Sequence, residues 1–229
     1  MMDIEAVAAL QDPVRRRLYE YVVAQGREVG RVEAAEAVGV ARTLAAHHLD
    51  RLTEVGLLES GSRRLSGRSG PGAGRPAKVY TRARDEVAVS LPARDYRTVA
   101  TLLAEAAEQA GLDDGLRAAA HRRGAALRGA AAPCGDLREA MEVLSARGYE
   151  PHWEEAEGAP GAAEAGEGVV RMRNCPFHAV AERFPPLVCG MNLALLEGLF
   201  GTDGPVRARM DARPGECCVV IENSKNHSD

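Results

Sequence analysis

Apolar residues at Leu10, Val14, Leu18, Tyr21 and Val22 recur at the spacing of one helix face, and Asp12-Pro13 supplies an N-cap with proline at the first helical position. This predicts a helix over Leu10 to Val23. A second, shorter helix is expected from Arg31 to Val38 with Gly39 as the turn, and a third from Ala41 to Val55, stopped by Gly56. On the third helix Ala41, Leu44, Ala45, His48, Leu52 and Val55 share one side, while Arg42, Thr43, Ala46, His47 and Asp50 share the other. The first side is expected to pack, with His48 as a structural histidine, and the second to be presented.

Leu57-Leu58-Glu59 and Lys78-Val79-Tyr80-Thr81 read as short strands, and the Gly- and Pro-bearing segment between them carries Arg63, Arg64, Arg68 and Arg75. A hairpin with a long basic tip is expected there. Ala104 to Ala132 is alanine-rich and helical in composition, broken near Gly111 to Gly115, and reads as a helical connector whose surfaces pair two subunits. Beyond it the pattern predicts a helix over Leu137 to Arg147, strands over Tyr149 to Glu154 and Val169 to Arg173, and helices over Pro176 to Arg183 and Leu187 to Phe200. Strands over Val206 to Asp211 and Cys218 to Glu222 complete it. Residues 155 to 168 are Gly, Ala and Glu apart from one proline, a composition too poor in apolar side chains to fold on its own. Trp153, Phe177, Phe184, Leu195, Leu196 and Leu199 read as core, and no repeat occurs at a fixed period.

The expected fold class is therefore α+β in three parts. Residues 1–95 form an N-terminal winged helix-turn-helix, 96–132 a helical linker and dimerisation segment, and 133–229 a C-terminal α+β sensor domain. With 229 residues, 45% hydrophobic and 27% charged, the chain has a globular composition. No apolar run reaches the roughly 20 residues of a membrane span, and the first residues lack the pattern of a signal peptide, so a cytoplasmic protein with no membrane association is expected.

The net charge of -4 conceals an asymmetry. Residues 1 to 100 carry 16 basic and 13 acidic side chains, and the remainder carries 13 and 20. From Ala41 to Arg84 nine basic residues face three acidic ones, a local excess suited to a polyanion. Three helices with a glycine turn before the third, followed by a basic hairpin, place a helix for the major groove and a wing for the flanking backbone. Arg42, Thr43 and His47 open the presented side of the third helix and are the candidate base readers; Arg51, Arg68, Arg75 and Lys78 are assigned to phosphates. The stretch from Ala34 to Leu58 and the sequence Gly74-Arg75-Pro76-Ala77-Lys78-Val79-Tyr80 resemble the DNA-binding half of ArsR-type bacterial regulators.

Four of the five cysteines lie after residue 170, and their odd number in a chain expected in the cytosol points to metal, cluster or redox chemistry and not to a disulfide framework. Cys175, Cys189 and Cys217 each sit at or near the end of a predicted element, and thiolates select zinc, copper(I) or iron–sulfur clusters. No Cys-x2-Cys knuckle is present, which argues against a zinc ribbon. Asn174-Cys175-Pro176-Phe177-His178, Leu187-Val188-Cys189-Gly190-Met191-Asn192 and Pro214-Gly215-Glu216-Cys217-Cys218-Val219 resemble the sensor half of SufR-like regulators. That resemblance implies a homodimeric transcription regulator, expected as a repressor, with a [4Fe-4S] cluster held by Cys175, Cys189 and Cys217. It further implies sensing of cluster status or oxidative stress, and a palindromic double-stranded DNA operator as partner.

Three thiolates leave one iron without a cysteine ligand. His178 is the candidate fourth, with His152, Cys218, Cys134, a carboxylate or a small molecule as rivals. Cys218 follows Cys217 in a predicted strand, where successive side chains point to opposite faces, so the two are not expected on one iron. The competing reading is a zinc or thiol-redox sensor built on the same cysteines. An enzyme using Cys175 as nucleophile and His178 as base lacks an orienting third group and an oxyanion loop, so no catalytic activity is expected.

Overall fold

The structure, a computed structural model, describes residues 2–63, 76–155 and 168–224. Arg64, Arg68, Arg75 and most of the Glu155 to Gly168 segment lie outside the described residues. The chain is mixed α+β and divides into two compact units, Met1–Arg94 and Asp95–Asp229, within a residue of the first expected boundary.

In the first unit, α1 (Met2–Ala9) precedes the expected helices and buries Ala6 and Ala9. Helix α2 (Pro13–Gln25) starts at Asp12, whose carboxylate accepts from the backbone N–H groups of Val14 and Arg15 at 2.9 Å. Strand β1 (Val29–Gly30) leads into α3 (Arg31–Val38), Gly39 turns the chain at φ 71°, and α4 (Arg42–Glu54) follows. Strands β2 (Leu58–Arg63) and β3 (Ala77–Arg82) form an antiparallel pair running from Leu58 opposite Arg82 to Arg63 opposite Ala77, and β1 adds to the far side of β3.

The core of this unit gathers Leu18, Val22, Val29, Leu49, Leu52, Leu58 and Tyr80. The buried stripe of α4 is Ala45, His48, Leu49 and Leu52, an i, i+3, i+4, i+7 set. Ala41 and Leu44, expected on the packed side, are exposed, Leu44 at 41%. The stripe is rotated by about one residue, because Leu49 and not Leu44 completes the face toward α2 and α3.

The second unit opens with α5 (Tyr96–Gln109) and α6 (Asp113–Arg128), followed by α7 (Leu137–Ser145). Strands β4 (Pro151–Glu155) and β5 (Gly168–Met172), helices α8 (His178–Ala181) and α9 (Pro185–Phe200), and strands β6 (Val206–Met210) and β7 (Val219–Asn223) complete it. The four strands form an antiparallel sheet in the order β4-β5-β7-β6. Leu144, Val170, Met172, Leu196, Phe200 and Ile221 fill the space between this sheet and helices α7 and α9.

Residues 96–132 are not a free-standing connector. Helix α6 lies along α9 with backbones in contact: a Cβ on Gly124 would fall 2.0 Å from the Leu195 carbonyl oxygen, and one on Gly198 2.1 Å from that of His121. Only glycine allows that approach. Helix α5 packs Ala104 and Ala107 against Phe184, Leu187 and Val188, and leaves Tyr96, Val99, Leu102 and Leu103 exposed on its other side.

Arg171 of β5 is 1% exposed, yet its guanidinium reaches Glu154 and Asp211 at 2.6 Å and lies 3.8 Å from Glu216. Three carboxylates from β4 and the segment between β6 and β7 thereby close on one cation, which makes its burial tolerable. Among the described residues no helix is long and apolar enough to cross a membrane.

Candidate nucleic-acid face and thiol site

Gly39 ends α3, Val40 and Ala41 run extended, and α4 begins at Arg42, so Arg42, Thr43 and His47 stand exposed on the first two turns of α4. Arg42 has no ion-pair partner among the described residues, so its charge is uncompensated. It borders a cleft of about 1310 Å³ whose other cationic walls are Arg27 and Arg31 and, on the hairpin, Arg63 and Lys78. All four of these cations are already engaged: Arg27 by Glu33, Arg63 by Glu28 at 3.5 Å, and Arg31 and Lys78 by Asp50. Arg51 is exposed and pairs with Glu54 at 3.1 Å, one turn on.

Lys78, expected to contact phosphate, is part of an ion pair within the unit. Its Nζ lies 2.7 Å from Asp50 Oδ1, and the same carboxylate accepts from the Tyr80 hydroxyl at 2.6 Å and from Arg31 at 2.9 and 3.0 Å. Asp50, expected on the presented side of its helix, thus ties α3, α4 and β3 at one point. Burial pushes its carboxyl upward, but the donors from Lys78, Tyr80 and Arg31 outweigh that and hold it below the usual carboxylate range. Burial and the bond to Asp50 push the Tyr80 hydroxyl up to about 12, so it remains a donor.

His48 is 6% exposed, with Arg15 Nε donating to its Nδ1 at 3.3 Å and Asp12 Oδ1 4.0 Å from its Nε2. Burial lowers its pKa, the pull of Asp12 only partly opposing this. The neutral ring accepts from arginine, which fits the structural role expected of it.

In the second unit four thiols come together from three separate segments. Cys175 follows β5, Cys189 lies in the second turn of α9, and Cys217 and Cys218 end the approach to β7. Cys217 is 2% exposed and fixed by its backbone N–H to the Met172 carbonyl at 2.9 Å. Interaction with the neighbouring Cys217 thiol lowers the Cys175 pKa, and the same interaction, together with burial, raises that of Cys217. Cys189 Sγ lies 3.0 Å from Cys218 Sγ, and burial, followed by that contact, pushes the Cys189 thiol up to about 12. Cys189 and Cys218 also act on Cys175 electrostatically, so the two pairs are neighbours, a nest of two thiol pairs and not a gathered group of three.

Cys217 and Cys218 meet different partners, Cys217 the thiol of Cys175 and Cys218 that of Cys189. Strand β7 starts at Val219 and Cys218 occupies a bend, so pleat alternation does not operate between the two cysteines. His178 opens α8 with its side chain 65% exposed and its Nε2 3.1 Å from Glu182; its imidazole is engaged outside the nest. His152 is paired with Glu216 at 3.3 Å, and burial, followed by Arg173, lowers its pKa. Cys134 is buried apart, donating to the Asp136 carbonyl at 3.4 Å, and burial raises it to about 11.

Two residues behind the nest escaped sequence reasoning. Asn192 is 1% exposed; its Nδ2 donates to Cys217 Sγ at 3.4 Å and its Oδ1 accepts from the Tyr149 hydroxyl. An asparagine three residues after Cys189 in an otherwise apolar helix was the available signal, since that spacing shares a face. Tyr149 had none, standing 43 residues away.

The donors suit soft metals in type: four sulfurs, those of Cys189 and Cys217 buried and those of Cys175 and Cys218 half-buried, with an amide N–H directed at one of them. Among the described residues no three His, Cys, Asp or Glu side chains are gathered as a single metal ion requires. Compared with family models, with curated proteins and with solved structures, the chain matches none.

Proposed function

We propose that the protein is a homodimeric DNA-binding transcription regulator of the winged helix-turn-helix class, its output governed by the sulfur chemistry of its second unit. The observation that carries this reading is the exposed opening of α4. Arg42, Thr43 and His47 project there beside a cleft lined by basic side chains and by Glu28, Glu33 and Glu36, in which Arg42 is the cation without an ion-pair partner among the described residues, and β2 and β3 rise next to it as the wing. A helix so presented fits the major groove, and in a dimer two such helices would read half-sites about 34 Å apart on a palindromic operator. The Asp50 knot joins the wing to α3 and α4, fixing the wing's base relative to the reading helix.

The four-thiol nest supports an iron–sulfur cluster as the sensed group, with Cys175, Cys189 and Cys217 as its ligands. Such a cluster supplies redox-labile bonds that exist only when it is assembled, and its loss biases the population of the DNA-competent state. Asn192 and Tyr149 hold Cys217 in place, and the exposed α5 face carries the subunit contact.

Absorption together with iron, sulfide and zinc analysis on anaerobically purified protein tests the sensor. About four irons and four sulfides per chain, absent in Cys175→Ser, are expected. Colourless protein with about one zinc would replace the cluster by a zinc site. Selection of bound duplexes from a random pool tests the regulator: a palindrome whose affinity falls steeply with salt is expected, and no enrichment would overturn it.

A further inference from the structure

Cys218 lies outside the cysteine set the family resemblance selects, yet its Sγ lies 3.0 Å from that of Cys189. A disulfide spans about 2.05 Å, so about 1 Å of approach separates the two thiols from a bond. The two come from different parts of the fold: Cys189 from the second turn of α9, and Cys218 from the bend before β7. The bend leaves Cys218 partly exposed, whereas Cys189 is 7% exposed. An oxidant from solvent therefore meets one partner while the other waits behind it.

We propose that Cys189 and Cys218 form a dithiol oxidation site for hydroperoxides. The Cys218 sulfur attacks the distal peroxide oxygen; the O–O bond breaks, the sulfur becomes a sulfenic acid, and with hydrogen peroxide one water leaves. Cys189 then attacks that sulfur, the S–O bond breaks, a second water leaves, and the disulfide forms. Two thiols and one hydrogen peroxide give one disulfide and two waters, the thiols being oxidised and the peroxide reduced. Cys175 and Cys217 take no part.

The assignment rests on sulfur geometry and stands whether or not a cluster is ever bound. One consequence does rest on the cluster reading: closure withdraws Cys189 from the ligands, so an oxidised chain has to be reduced before it can accept a cluster.

The test treats the full-length chain, stripped of metal by chelator and fully reduced, with an equimolar amount of hydrogen peroxide. Titratable thiols should fall from five to three, with peptide mapping linking the segments that hold Cys189 and Cys218. Cys218→Ser, its fold checked by circular dichroism, should keep all four of its thiols out of any disulfide under the same treatment. A bond between Cys175 and Cys217, five surviving thiols, or a disulfide formed equally well in Cys218→Ser would overturn the proposal. Iron content, read separately on untreated protein, reports on the cluster alone, so failure of one reading is distinguishable from failure of the other.

Discussion

At the scale of single residues, charge burial decides what the molecule tolerates. His48 accepts from Arg15 as a neutral ring, and its folded pKa lies below the ordinary 6.5 with Asp12, Arg15 and His47 around it. As pH falls through 6.5 the unfolded chain therefore takes up a proton that the folded chain refuses. His48 favours the fold fully above that pH and progressively less below it. Urea midpoints at pH 7.5 and pH 5 should differ more for the natural chain than for His48→Gln; equal differences would remove His48 as the source. Arg171 poses the reverse problem, because Arg171→Leu removes the buried cation that Glu154 and Asp211 share, leaving them only Arg213 and Arg209 at the surface. A loss of about 3 kcal/mol is expected by denaturant unfolding, moderated by the partial exposure of both carboxylates.

At the scale of elements, α4 divides into an anchored stripe and an exposed opening, on which the proposed recognition of DNA would rest. Its buried stripe fixes its roll, and its first turns remain free for a ligand. Arg42→Ala should weaken binding to any duplex and lower the slope of log affinity against log salt by about one, if its guanidinium meets a phosphate. If it reads a base, the loss instead concentrates at one operator position at about 1–3 kcal/mol, and binding measured across salt and sequence separates the two. Lys78→Ala should leave the salt slope nearly unchanged, since Asp50 already neutralises that lysine. The α6–α9 contact gives a sharper expectation. Gly124→Ala forces a methyl group into the Leu195 carbonyl and should cost about 1–3 kcal/mol of the second unit's stability by urea unfolding.

At the scale of the whole molecule, the proposed dimer would rest on α5, whose Tyr96, Val99, Leu102 and Leu103 are 73%, 55%, 59% and 67% exposed. A face of that kind normally meets a partner. Leu102→Glu combined with Leu103→Glu should convert a dimer to monomers in sedimentation, and an unchanged mass would move the subunit contact elsewhere.

What the sequence made legible is local in origin. The caps at Asp12-Pro13 and Gly39, the hairpin pair, and the strand order in sequence all follow from neighbours within a few residues. The phase of α4 was misread, because Leu44 and Leu49 are equally apolar and only the positions of α2 and α3 choose between them. Helix α1 carried too faint an apolar stripe to be predicted, its buried positions being alanines. The Asp50 knot joins residues 19, 28 and 30 positions apart, and Tyr149 meets Asn192 across 43, distances over which a single sequence carries no pattern. The cysteines themselves were found by type and context, but their pairing, and the place of Cys218 within it, depend on a bend that resembles the first residue of a strand.

The glycine crossing of α6 and α9 has a mechanical meaning for the sulfur site. Contacts between side chains can slip from one rotamer to another, whereas two backbones touching at Gly124 and Gly198 have no such play. Helix α9, which carries Cys189 and Asn192, is thus the stator of the nest. The stretch from Asp211 to Cys218 is held instead by two backbone hydrogen bonds at its ends and by side-chain ion pairs to Arg171, Glu154 and His152, contacts that can turn from one rotamer to another, so of the two carriers it is the one expected to yield. Any chemical event that draws sulfurs together or drives them apart will be converted into displacement of that stretch and of the Asp211 and Glu216 carboxylates it holds against Arg171.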